Sequence, residues 1–423
     1  MTVFQAWLPP EGGDKRRADF YVSPAGDDRW SGTLPEPNRE ATDGPFATLV
    51  RARDAVRQFK AATGLQAPVT VLVRGGKYFM RETLILNADD SGTTDCPITY
   101  RAYPGEKAVL SGGRRVTGWR PFKGAILQAR LPEKPERWHS RQLFYNSKRQ
   151  PRARWPKPDP VNPLYGGWAL HEGGDEANPF RAFRYPDGFL PRRWAKPATA
   201  EVCLFGANGW FNEIIPVASV DRRRRVITLQ RRIKDFDRSP WHLPLTLEPN
   251  RFCIENVLEE LSQPGEWCLD SEKGVVYFWP PDDRLEDGEV VVPELDCLIS
   301  LRDASWVNIS GFTFTETTDG DNYFRDGGEG VGAMFNTIGL RYCGEAVHLR
   351  DAEHCRIEGN RFDAVGGNAV YLESHNARNA IARNEIAHAG ANGICLIGAP
   401  LRHPIFNHIE DNHIHHCGVY NKY

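Results

Sequence analysis

Four short phrases in the last third of this 423-residue chain, VNISGFTF, CRIEGNRF, NAIARNEI and NHIEDNHI, align at Ile309, Ile357, Ile381 and Ile409. Their spacings are 48, 24 and 28, and 48 reads as two coils of 24. A second register, GEAVHL, GNAVYL and ANGICL, aligns Leu349, Leu372 and Leu396 at spacings of 23 and 24. Each phrase is a short strand with one apolar face between Gly or Asn bends, and it can bury that face only by stacking coil upon coil. The repeats therefore predict an all-β, right-handed parallel β-helix with coils about 4.8 Å apart.

That geometry assigns directions. Val347/Leu349, Val370/Leu372 and Ile394/Leu396 form inward ladders, and strict alternation turns His348/Arg350, Tyr371/Glu373 and Cys395/Ile397 outward. Ala346, Ala369 and Gly393 are expected to keep the outward face low enough for a ligand or for a packed neighbour. Glu373 is expected beside Arg350 as an ion pair. Glu345, Asn368 and Asn392 form a row at the bend before each strand, where asparagine usually satisfies turn backbone groups and a carboxylate is out of place. A further row, Asn360, Asn384 and Asn412, reads as structural.

The rest of the chain is organised differently. Residues 1–18 read as a flexible N-terminus, and 19–113 as the first part of the β-helix with one capping helix in GPFATLVRARDAVRQFKAATG. Its apolar face is Leu49, Ala52, Val56 and Phe59. Residues 114–293, rich in Trp, Pro and Arg, contain two hairpins, RQLFYNSKRQPRAR and GEWCLD-SEKG-VVYFWPP, and read as an inserted β-sandwich-like domain. Residues 294–423 are β-helix coils, expected to be cut short at the C-terminal end because the last phrase stops within a coil.

Charge follows this division. The C-terminal part carries 17 acids against 10 bases and nine of the twelve His, so groups able to titrate near neutrality concentrate there. The Arg-rich insertion, including Arg222–Arg225, raises nucleic acid or an acidic glycan as a partner, but without a nucleic-acid motif it reads mainly as a solvated, salt-bridged surface. Nine scattered Cys without a C-x-x-C pattern read as reduced thiols. The loop after Thr315 holds Glu316, Asp319, Asp321, Asp326 and Glu329, without EF-hand spacing for calcium. The HIHH run at 413–416 has no completing zinc spacing, so neither metal nor cofactor is expected. No signal peptide or membrane span is evident, which places the chain in the cytoplasm unless its start is misassigned.

The segments FYVSPAGDDRWSG, DGPFATLVRARDAVR, VLVRGGKYFM, ITYRAYPGEKAVLSGG, ENVLEELSQPGEWCLD and MFNTIGLRYCGEAVHL together resemble the bacterial right-handed β-helix glycoside hydrolases of family 120, the β-xylosidases, and the related family 141. The resemblance implies a β-helix interrupted by a β-sandwich and a pair of carboxylates acting on a glycosidic bond of a plant-type oligosaccharide. On this sequence the ranked catalytic choices are Glu345 and Glu373. His348, Asn368, Tyr371, His375, Asn392, Asp319 and Asp321 are the expected substrate-binding residues. A calcium-dependent polysaccharide lyase and a non-catalytic glycan-binding β-helix are the alternatives; the expected partner is an oligosaccharide or polysaccharide, not nucleic acid or membrane.

Overall fold

The computed structural model describes residues 18–132, 138–162, 166–205, 212–232, 249–282, 285, 288–319, 344–398 and 401–420. Three parallel sheets form the walls of a β-helix. Wall A runs Phe20–Val22, Val69–Val73, Ile98–Ala102, Val307–Ser310, Arg356–Glu358, Ala380–Ala382 and His408–Glu410. Wall B runs Gly76–Phe79, Ala108–Ser111, Phe312–Thr315, Arg361–Asp363, Glu385–Ala387 and His413–His415. Wall C runs Leu84–Leu86, Ile299–Arg302, Glu345–Arg350, Asn368–Glu373 and Ile394–Ile397. The chain passes from A to B to C and then climbs to the next coil.

The register predicted from the repeats is the observed one. Ile309 pairs with Ile357, Ile357 with Ile381, and Ile381 with Ile409. One expectation fails: because Ile309 and Ile357 are direct neighbours, the 48-residue spacing is one coil enlarged by a long connection, not two coils. The strands between Phe20 and Ser111 belong to the same stack, since Ile98–Arg101 pair with Val307–Ser310 across the whole Arg-rich segment.

Inside, the ladders pack as one core. Val347, Leu349, Val370 and Leu372 are fully buried, and Phe314 lies on Phe362 with centroids 4.7 Å apart and planes 12° from parallel. Each such side chain contributes about 1.5–3 kcal/mol by leaving water. In the last coil Leu396, Ile409 and Ile414 are 40–45% exposed. The α-helix Leu49–Thr63, capped by the Thr48 hydroxyl accepting from the Arg51 N–H, lays Leu49, Ala52, Ala55 and Val56 onto this core. Phe59, expected on that face, is 37% exposed and touches Phe20 only edge-on, while Ala55 takes the buried place. No described helix is long and apolar enough to cross a membrane.

Buried Asn ladders hold the corners between walls A and B. Asn384 Nδ2 donates to the Ile357 carbonyl, and its Oδ1 accepts from the backbone N–H of Asn360. The next rung repeats this with Asn412 beneath Asn384. Asn376, Asn379 and Asn407 make a second ladder of the same kind between walls C and A.

Between Gly113 and Pro293 the described pairings of strands are antiparallel. Both expected hairpins are present, Phe144–Tyr145 with Lys148–Arg149 and Trp267–Asp270 with Val275–Phe278. Three of the four arginines at 222–225 are engaged internally: Arg224 pairs with Asp175, Arg225 with Glu172, and Arg222 donates to the Leu190 and Arg192 carbonyls. The antiparallel segment leaves the β-helix after Ser111 in wall B and returns before Ile299 in wall C. The long connection after Thr315 leaves and returns at the same corner one coil further on. Whatever the fold builds from its insertions is therefore built at the B-to-C corner.

Candidate functional site

The last four wall B strands each end at this corner on one left-handed residue that is not glycine: Glu316 (φ 58°), Ala364 (57°), His388 (56°) and His416 (55°). Such residues cost about 1–3 kcal/mol apiece and persist where the surroundings fix them. Glu316 is fixed by ions: fully buried, it takes Lys77 Nζ at 2.8 Å and Ser111 Oγ at 2.5 Å. Its carboxylate is thus committed to Lys77 and Ser111, while Asp326 and Glu329 of the same loop lie outside the described residues. Among the described residues no group of His, Cys, Asp and Glu is placed to hold a metal.

Glu345 opens the wall C strand immediately past the corner and is 4% exposed. Asn368 is its register partner one coil on. Asn368 Oδ1 accepts both the backbone and the side-chain N–H of Asn392, at 3.0 and 2.9 Å, so its amide nitrogen is turned away from Asn392. That nitrogen is buried and makes no hydrogen bond with the described residues. The column Glu345–Asn368–Asn392 is therefore continuous, with a carboxylate at its base. Burial pushes the Cys395 thiol up to about 12, and the Glu345 carboxylate adds to that shift.

Ala346, Ala369 and Gly393 do not lower the outward face. Ala346 and Ala369 belong to the interior core, and a Cβ on Gly393 would stand 2.6 Å from Ile414 Cγ2. Two successive inward residues, Ala346 and Val347, break strict alternation because the chain is still turning the corner there.

His348, Tyr371 and Glu373 come together further along wall C. The His348 ring lies on Tyr371, centroids 5.4 Å apart, and His348 Nε2 is 3.1 Å from Glu373 Oε2. Glu373 is thus paired with His348 and not, as expected, with Arg350, whose Nε reaches toward Asp351 at 3.8 Å. His348 and Tyr371 are 7% and 1% exposed, so this face is covered, not open. The backbones of Glu345 and Glu373 stand apart: Glu373 is five residues beyond the Glu345 row, about 16 Å along the strand. A glycosidase pair needs about 5–9.5 Å. His375 lies past the next corner, with Nε2 3.5 Å from Glu353, away from both groups. Asp321 lies outside the described residues.

Asp319 belongs to a third group that no local motif announces. Its carboxylate takes Arg141 Nη1 at 2.7 Å; Arg141 Nη2 reaches Glu201 Oε1 at 2.7 Å, and Arg152 Nη1 reaches Glu201 Oε2 at 2.5 Å. Burial alone would raise the Glu201 pKa, but the charges of Arg141 and Arg152 and a hydrogen bond from His139 hold it well below the carboxylate range. Burial opposes the Arg141 charge, and Glu201 and Asp319 more than restore it. Arg149 straps the segment to the corner, donating to the Val365 and His388 carbonyls, and Gln142 Nε2 donates to the Thr317 carbonyl. Gly390 is required here, since a Cβ would meet the Gly366 carbonyl oxygen at 1.6 Å. Beside this network is a cavity of about 350 Å³, lined by Arg141, Arg149, Arg152, Arg154, Trp168 and Tyr420 among others. Burial pushes the Tyr420 phenol up to about 12.

No protein-family model matches the chain. A 93-residue stretch, 22% of the chain, is 40% identical to the uncharacterized protein YwoF of Bacillus subtilis (strain 168), of which it spans 15%. The architecture matches that of a solved structure described as a glycoside hydrolase with a TM-score of 0.76, over 95% of this chain and 74% of that one, at 22% identity. A complex of XylC with xylose aligns over 94% of this chain and 58% of that one, at 13% identity and a TM-score of 0.35. The first of these likenesses establishes the fold class, a parallel β-helix of the kind found in a glycoside hydrolase; the second is too distant to add to it.

Proposed function

We propose that the protein is a glycoside hydrolase acting on short plant-type oligosaccharides, xylosidase-like in its substrate, with Glu345 as a catalytic carboxylate. The observation that carries the reading is the carboxylate of Glu345, which replaces an amide in an otherwise asparagine column at the corner where both long insertions emerge. The near whole-chain likeness to the fold of a glycoside hydrolase supports the choice of chemistry. Glu345 would act as proton donor or nucleophile at the anomeric carbon. Asn368 Nδ2, one coil away, would donate a hydrogen bond to the sugar or to the carboxylate. Asn392 would hold Asn368 in orientation.

A panel of aryl glycosides tests this. The full chain is expected to release the aryl group from a β-xyloside or a related pentoside, and Glu345→Gln is expected to lower kcat by at least about 100-fold with an unchanged thermal midpoint. Unchanged turnover in Glu345→Gln, or no turnover by the folded native chain on any member, would overturn the assignment.

A further inference from the structure

We infer that the arginine-walled cavity beside the B-to-C corner binds the carboxylate of a uronic-acid sugar. This inference rests on the carbohydrate reading above and gives it an acidic substrate class. The cavity, about 350 Å³, is of the size that holds a small ligand. Its arginines are unequal. Arg141 spends its three nitrogens on Glu201 and Asp319, and Arg149 spends its own on Gln142 and two backbone carbonyls.

Arg152 and Arg154 are different. Arg152 is 8% exposed and bonds Glu201 through Nη1 alone; its Nε is buried without a partner, and its Nη2 engages none of the described residues. Glu255, at 3.6 Å from Nη1, is too distant for a hydrogen bond. Arg154 gives Nε to the Pro156 carbonyl and Nη2 to the Gly167 carbonyl, leaving Nη1 uncommitted among the described residues. A buried guanidinium with unfilled donors is costly, and a carboxylate is the partner whose planar geometry fills them. Four guanidinium groups line the cavity, and Glu255 together with the Glu201 and Asp319 carboxylates bound to Arg141 and Arg152 supplies three negative charges, so a net positive charge remains and favours an anion there.

The remaining walls suit a sugar ring. Trp168 carries the Arg154 guanidinium over its face at 5.1 Å, and Tyr420 carries Arg149 at 5.5 Å, so aromatic surface and positive charge stand side by side. A pyranose bearing a carboxylate presents its apolar C–H surface to the aromatic wall beside these guanidinium groups and its anion to Arg152 and Arg154. An inorganic anion would use the charges and leave the aromatic wall unused.

Titration calorimetry on the full chain at low salt, with sodium D-galacturonate, D-galactose and sodium sulfate as separate probes, tests the inference. Galacturonate is expected to bind at least about tenfold more tightly than either of the others, and to weaken as salt is added. Arg154→Gln and Trp168→Leu, each confirmed folded by its urea transition, are expected to lose at least about tenfold in galacturonate affinity. Equal affinity for galactose, sulfate binding as tight as galacturonate, or unchanged binding in both variants would overturn the site. Galacturonate binding without turnover of any glycoside would leave this site standing and overturn the hydrolase reading. Turnover of neutral glycosides without galacturonate binding would do the reverse.

Discussion

Replacing Glu201 by Gln removes one charge from between two buried guanidinium groups, and the cost can be worked from the contacts. Glu201 holds Arg141 at 2.7 Å and Arg152 at 2.5 Å, with all three side chains under a tenth exposed. Breaking a buried pair of this kind costs about 3–5 kcal/mol, mostly as the penalty of the cation left behind. Gln keeps one acceptor oxygen and Arg141 keeps Asp319, so the lower end applies, about 3 kcal/mol; Glu201→Leu removes both acceptors and is expected near 5 kcal/mol. Unfolding entropy of about 2.1 cal/mol/K per residue over 423 residues gives about 0.9 kcal/mol/K, so Glu201→Gln should melt about 3 °C lower if the chain unfolds as one unit. Urea unfolding followed by tryptophan fluorescence reads the free energy directly.

The pH dependence supplies an internal check. Because the folded pKa of Glu201 is depressed, the unfolded chain binds its proton first as pH falls, and the stabilisation is present above the ordinary value of 4.5 and lost below it. The native chain should therefore lead Glu201→Gln fully at pH 7, and the gap should close as pH drops through the acid range. As a control, Arg224→Gln touches a pair whose arginine is 60% exposed and should cost no more than about 1 kcal/mol. A loss below about 1 kcal/mol for Glu201→Gln, or a gap that widens toward acid, would refute the network as an anchor of the corner.

Other outcomes follow from the packing and the site. Phe362→Ala leaves the face of Phe314 bare in the core and should cost about 3–5 kcal/mol in the same urea assay, against under about 1.5 kcal/mol for Phe362→Leu if the ladder closes up. His171, between Phe183 and Phe252, has its pKa lowered by burial to about 4, so it destabilises the fold as pH falls from 6.5 toward 4. At about 1.4 kcal/mol per pH unit this is worth up to about 3 kcal/mol, and His171→Phe should flatten that limb of a stability profile. Asn368→Asp, which puts a second carboxylate one coil from Glu345, should shift the pH optimum of turnover if Glu345 is the reacting acid, because like charges on neighbouring coils oppose each other's ionisation.

The stacking register was legible because Ile309, Ile357, Ile381 and Ile409 each sit mid-strand, where period-two alternation holds. At the corners it does not hold, and Ala346, Ala369 and Gly393 turn inward where alternation sends them out. The corners themselves were poorly marked, since Glu316, Ala364, His388 and His416 take the left-handed conformation without being glycine. Glu345 stood out as a carboxylate in an asparagine row, a signal any stacked repeat offers. The ionic network did not, because Arg141, Arg152, Glu201 and Asp319 are brought together from separate segments by long-range pairing. Only the high Arg content of the insertion hinted at it, and composition cannot say which arginines keep free donors.

We propose that a glycosidic bond is hydrolysed at the corner that holds Glu345. Digesting a xylo-oligosaccharide, and its uronic-acid-substituted counterpart, in heavy-oxygen water and weighing the products by mass spectrometry tests it most directly. Hydrolysis predicts one heavy oxygen at each cleaved anomeric centre, in the native chain and not in Glu345→Gln. Unsaturated products lighter by one water and free of the label, or intact substrate with the native chain folded, would contradict it.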